Sequence, residues 1–170
     1  MSLFDRLFRK PADPREAMRP LWHRTVAIAR EPEWYAQCGV ADTLEGRFDM
    51  VTAALSVVML RMETDPALAP RTAYLTEIFV EDMDGQLRQS GVGDLVVGKK
   101  IGKLMSTLGG RLGAYREGFA DSGPTLEDAA RRNVTLTDDW LAPRLAERLR
   151  ALRLRLDVTD ADAMLAGEIA

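Results

Sequence analysis

The residues best placed to do chemistry are acidic. Glu77, Glu81 and Asp84 stand at i, i+4 and i+7 with Arg88 four further on, so a helix would carry them as one stripe ending in a base, with Asp82 pointing elsewhere. Holding a magnesium diphosphate between helices takes an aspartate cluster on each of two facing helices, and no second cluster lies on a convincing partner here. Across the stretch Ser90-Gly91-Val92-Gly93 lie Lys99, Lys100 and Lys103. Acidic and basic patches set opposite one another are how protein interfaces fix their register, so a protein-binding patch is the functional reading and a solvated helix face the plain one.

Gly93 to Lys99 has the G-x-x-x-x-G-K spacing of a phosphate loop. The match breaks down because Lys100 replaces the Ser/Thr that would hold magnesium, Asp94 adds negative charge, and Met83 to Arg88 is no buried strand. A helix capped by Asp94 and carrying solvated lysines is the better reading. The single histidine, His23, excludes a di-iron Glu-x-x-His site. The single cysteine, Cys38, excludes an intrachain disulfide, a multi-cysteine zinc site and a self-contained iron-sulfur centre. Spacing alone leaves a Cys38–His23 nucleophile open, although a buried thiol and a surface histidine are the ordinary outcomes. No metal or cofactor is expected.

These side chains need a scaffold, and 170 residues are enough for one domain with a sizeable core. Its 23 bases (19 Arg, 4 Lys) against 26 acids give a net charge of −3, without the basic excess of a DNA binder. Nearly every segment has helical period and none alternates as a strand would, so the expected fold is all-α, one compact domain of six to seven helices rather than a simple four-helix bundle. Asp13-Pro14 opens a helix, Pro20 kinks or restarts it, and Glu31-Pro32 stops it. A short turn at Trp34-Tyr35 ends at Gly39. Leu44–Glu63 has a core stripe through Phe48, Val51, Leu55, Val58, Met59 and Met62, and Ala73–Arg88 repeats the pattern. A long helix runs from Asp94 to about Phe119, where Gly109, Gly110 and Gly113 each cost about 1 kcal/mol of propensity and so predict a closely packed neighbouring helix. A capping-box-like Thr125-Leu-Glu-Asp128 starts a short helix. The last long one carries Leu141, Leu145, Leu149, Leu152 and Leu156, opposite a basic face that includes Arg144, Arg148, Arg150, Arg153 and Arg155 and is read as solvated. Three regions follow: 1–12 amphipathic and basic, 13–158 the helical body, 159–170 an acidic tail.

No apolar stretch approaches a membrane span and the N-terminus lacks the pattern of a secretory signal, which predicts a cytoplasmic protein. Leu3, Phe4, Leu7 and Phe8, with Arg6, Arg9 and Lys10 between and after them, have the spacing of a segment lying in a membrane interface and binding weakly and reversibly.

Four blocks go further: Gly39-Val-Ala-Asp-Thr-Leu-Glu-Gly-Arg-Phe-Asp-Met50, Phe79-Val-Glu-Asp-Met-Asp84, Leu87-Arg-Gln-Ser-Gly-Val-Gly-Asp-Leu-Val-Val-Gly-Lys99 and Gly110-Arg-Leu-Gly-Ala-Tyr115. Their order and content resemble the ubiquinol-cytochrome c chaperone family over about residues 20 to 120. The resemblance implies a non-enzymatic assembly factor of the cytochrome bc1 complex that binds newly made cytochrome b at the cytoplasmic face of the inner membrane. A small co-chaperone and ribosome contacts come with the mitochondrial members; without a convincing mitochondrial targeting extension, this chain looks like a bacterial relative. On this expectation Glu81, Asp82, Asp84, Arg88, Gly91, Gly93, Asp94, Lys99, Lys100 and Lys103 form the client-binding surface. The alternative is a small helical enzyme acting on an isoprenoid or phosphorylated ligand through Asp82, Asp84 and Lys99, and a weaker one is an RNA-contacting adaptor using the last helix. If residues 3–10 are the anchor, deleting Ser2 to Lys10 should move the protein from the membrane pellet to the supernatant on sedimentation with native membranes.

Overall fold

The computed structural model describes residues 13–89, 94–120 and 125–169. The helices are α1 (Arg19–Ala29), α2 (Pro32–Ala36), α3 (Leu44–Glu63), α4 (Thr72–Gln89), α5 (Asp94–Ala120), α6 (Thr125–Asn133), α7 (Ala142–Val158) and α8 (Ala161–Ala166), with three short 3-10 turns between or before them. Six have nine residues or more, and the all-α expectation is met: among the described residues the one non-helical pairing is an isolated antiparallel bridge between Val40 and Leu136.

Most helix boundaries follow from local chemistry. The chain restarts at α1 with Pro20 in its first turn, where a missing N–H costs nothing. The last carbonyls of α1 are taken by two aromatic side chains from α2: Trp34 Nε1 donates to the Ile28 carbonyl at 2.7 Å and the Tyr35 hydroxyl to that of Ala29 at 2.9 Å. Thr43 caps α3, its side chain accepting from the Gly46 amide at 3.1 Å. Asp13 accepts from Arg15 backbone and side chain, and that arginine holds its carboxyl down at about 2. Asp160 caps α8, which ends at Gly167 in the left-handed region at φ 75°.

α3 is the axis of the fold. Rather than burying a stripe, it is buried on all sides from Thr52 to Leu60, while the expected core residues Phe48 and Val51 are only half-buried. The two hydroxyls that interrupt this apolar run bond back within the helix, Thr52 to the Asp49 carbonyl at 2.9 Å and Ser56 to that of Thr52 at 2.7 Å, so neither is left unsatisfied. Around α3 pack α1, the second half of α5, and α7. α4 closes on α1 through an edge-to-face contact of Trp22 and Phe79 with centroids 5.8 Å apart. The stretch read as an acidic tail packs on α1, with Met164 and Ile169 buried and Arg24 donating twice to the Ile169 carbonyl.

Two expectations need correcting. Among the described residues a Cβ at Gly109, Gly110 or Gly113 would meet nothing within 4 Å, so none of the described helices sits against them. The close approach in α5 falls instead at Gly118, whose Cβ would lie 2.8 Å from Leu126 Cα. The arginines of α7 are not simply solvated: Arg148 stacks 4.8 Å over Trp34 and pairs with Glu31 at 3.1 Å, Arg155 reaches Glu31 at 3.8 Å, and Arg153 pairs with Asp157 at 2.8 Å.

A Cβ at Gly46 would stand 2.0 Å from the Ala41 carbonyl oxygen, a backbone atom that cannot swing aside. Gly46→Ala should therefore cost about 1–3 kcal/mol or more. Gly109→Ala, mid-helix and in open space, should instead gain about 0.4–1 kcal/mol. Thermal unfolding of the two variants checks this pair of opposite signs.

Candidate functional site

From Val80 through Gln89 and from Gly98 through Thr107, no described side chain is fully buried; burial ends at Phe79 in α4 and resumes at Leu108 in α5. These two half-helices form an arm at the edge of the core, touching it through the partly buried Val80, Met83 and Leu104, and a groove opens on each side of α4.

The first groove, about 670 Å³, has an apolar floor of Val80, Ile101 and Met105 and a wall of Glu77, Glu81 and Asp84. Two of these three acids are paired with bases. Glu81 lies 3.8 Å from Arg15 and 3.7 Å from Arg19, and Asp84 pairs with Arg88 at 2.6 Å. These pairs are solvent-screened and individually weak, so they orient the stripe more than they stabilise it. The second groove, about 1120 Å³, lies between α1, α2, α3 and the arm and takes Asp82, Met83 and Gln86 from α4 and Leu104 from α5.

The structure therefore divides the surface that the sequence put together. Glu81, Asp84 and Arg88 share the first groove with Gly98, Asp82 lines the second, and Lys99, Lys100 and Lys103 are exposed on α5. Gly91, Gly93, the Asp94 side chain and the segment carrying Leu3, Phe4, Arg6, Leu7, Phe8, Arg9 and Lys10 lie outside the described residues. Gly98, Lys99 and Lys100 sit within continuous helix rather than a loop of free amides, so the phosphate-loop reading fails on geometry. Burial pushes the Cys38 thiol up, away from the thiolate a nucleophile needs, while His23 is exposed. Among the described residues no group of three or more His, Cys, Asp or Glu is placed to hold a metal ion, and no helix is long and apolar enough to cross a membrane.

The base of the arm is fixed by a group of polar residues the sequence reading missed. Asp49 on α3, 8% exposed, pairs with Arg111 of α5 at 2.5 Å. The same guanidinium donates to Thr52 Oγ1 and lies 5.8 Å over the Phe48 ring. The second oxygen of Asp49 accepts from the Thr135 amide at 2.9 Å and from its hydroxyl at 2.7 Å. Beside them Tyr115 is fully buried, and burial pushes its phenol far up. The available signal was a lone carboxylate, Asp49, within an apolar run.

The comparisons with known proteins bear on this same region. The family model for ubiquinol-cytochrome C chaperones matches residues 36–170, which includes both grooves' α3, α4 and α5 walls. The chain belongs to the ubiquinol-cytochrome C chaperone family. The crystal structure of the Cbp3 homolog from Brucella abortus is 31% identical and superposes with a TM-score of 0.79, covering 99% of this chain and 96% of that one. No match was found among curated proteins. Asp49, Arg111 and the arm all fall inside the family region.

Breaking this buried pair from one side strands a charge. Arg111→Met should cost about 3–5 kcal/mol in chemical denaturation, and adding Asp49→Leu to it should recover much of that loss.

Proposed function

We propose that this chain is a non-catalytic assembly chaperone that binds newly made cytochrome b at the inner membrane while the cytochrome bc1 complex is built, and that the α4–α5 arm is its client-binding face. Family membership supports the assembly role. The arm carries the rest of the reading: within the family region its three described glycines, Gly85, Gly98 and Gly102, each leave room where a Cβ would meet nothing within 4 Å, with a groove on each flank. A helix face built this way lets a partner's backbone come close, while Glu81, Asp84 and Arg88 on one side and Lys99, Lys100 and Lys103 on α5 supply polar register. Binding would act by mass action, holding the client in an assembly-competent form and out of aggregates. Residues 3–10 would add weak membrane contact, and a small co-chaperone or the ribosome would be further partners.

The enzyme reading has less support. Asp82 and Asp84 open into different grooves and Lys99 is exposed, so the three do not converge on one ligand.

Capture of the tagged protein from gently solubilised native membranes should enrich cytochrome b without the mature complex's other subunits. Asp82→Lys and Asp84→Lys should each lower that enrichment severalfold with an unchanged helical circular dichroism spectrum. Unchanged capture by both removes the arm from the client surface. No cytochrome b with the wild type, in cells making the complex, ends the functional reading.

A further inference from the structure

The larger groove holds more apolar surface than the charged stripe accounts for. Val26, Tyr35, Phe48, Val51, Met83 and Leu104 wall it, and Leu44 stands at its mouth 81% exposed. A helix with its side chains is about 10–12 Å wide and rises 5.4 Å per turn, roughly 500 Å³ per turn, so about 1120 Å³ receives about two turns. Flexible Met83 beside rigid aromatic rings suits an apolar helix face of varied shape.

The rim says what charge the occupant brings. Arg47 and Asp42 satisfy one another at 2.6 Å. Glu45 on the α3 wall and Asp82 on the α4 wall are exposed and have no ion-pair partner among the described residues, against one rim base, Arg30.

We infer that this groove binds about two turns of a client helix that is apolar on one face and carries Lys or Arg at one end, a composition found where membrane-spanning helices leave the bilayer on the cytoplasmic side. The inference rests on the assembly-chaperone reading and names the kind of client segment held.

The test uses the full chain and a labelled synthetic helix of about 14 residues, roughly four turns, with leucines on one face and two lysines at one end. Fluorescence anisotropy should show it binding about fivefold or more tighter than the same peptide ending in two glutamates, the scale of one or two rim ion pairs. A peptide with its leucines dispersed should bind far more weakly. Leu104→Glu should weaken binding at least about tenfold, and Val26→Glu, from the facing wall, replaces it if that variant does not fold. Asp82→Lys should abolish the preference for lysine over glutamate. Equal binding of all three peptides, or unchanged binding by a folded groove variant, overturns the inference. So does displacement of the probe by a peptide of residues 1–12, or a wild-type dimer that Leu104→Glu dissolves. Cytochrome b capture run in parallel separates the two claims: capture unchanged in a variant that has lost the peptide overturns the groove alone, and no capture by a wild type that discriminates the peptides overturns the client assignment alone.

Discussion

Asp49 must carry its charge where water scarcely reaches, and much of the architecture follows from how that requirement is met. A carboxylate leaving water loses several kcal/mol unless its lone pairs are filled. Here the partners come from two distant parts of the chain, Arg111 from the middle of α5 and Thr135 from the segment after α6. Satisfying Asp49 therefore fixes α5 against α3 in rotation and height, and places residues 134–137 alongside Gly39–Ala41, where backbone bonds from Ala41 to Thr135 and from Thr137 to Gly39 complete the tie. Beyond this clamp α5 runs through the buried Leu108 into the arm, where Leu104 still touches the core. The arm is thus the far end of a helix whose other end is held by a buried ion pair.

The same logic explains the preference for arginine. A guanidinium offers five donors in a rigid plane and can serve several acceptors at once, which an ammonium cannot do in fixed geometry. Arg61 donates to the Leu156 and Thr159 carbonyls at the end of α7 while bonding Asp65, Arg24 holds the Ile169 carbonyl, and Arg148 spans Trp34 and Glu31. Each joins elements far apart in sequence. The three lysines of α5, needing no such geometry, lie exposed on the arm.

How much of this was readable depends on whether its cause is local. Pro20, Glu31-Pro32 and Thr125-Leu-Glu-Asp128 act within a turn or two: α1 restarts around the first and stops before the second, and α6 begins at the third. Burial is not local. Phe48 and Val51 have the period of a core stripe but face a groove, because the elements that would cover them stop short. Gly109, Gly110 and Gly113 signalled a close neighbour, and among the described residues a Cβ on any of them would meet none within 4 Å. The acidic stripe was placed on the right helix face, and Asp82 was read as facing away. That it faces a second groove could not be seen, since that groove is assembled from five helices. The resemblance, read over about residues 20 to 120, overlaps the family region of 36–170 but missed its last fifty residues, and it could not distinguish Arg111, a buried tie, from its neighbours in the same motif.

The contact between Arg24 and Ile169 spans 145 residues of sequence. On a ribosome α1 emerges early and lacks Met164 and Ile169 against it until synthesis has passed the far end of α8, so this part of the core cannot close stepwise as the chain lengthens. Contacts of such high sequence separation are slow to form because loop closure must precede any gain from them. The seam between α1 and the stretch through Ile169 therefore stays open until that stretch has been made.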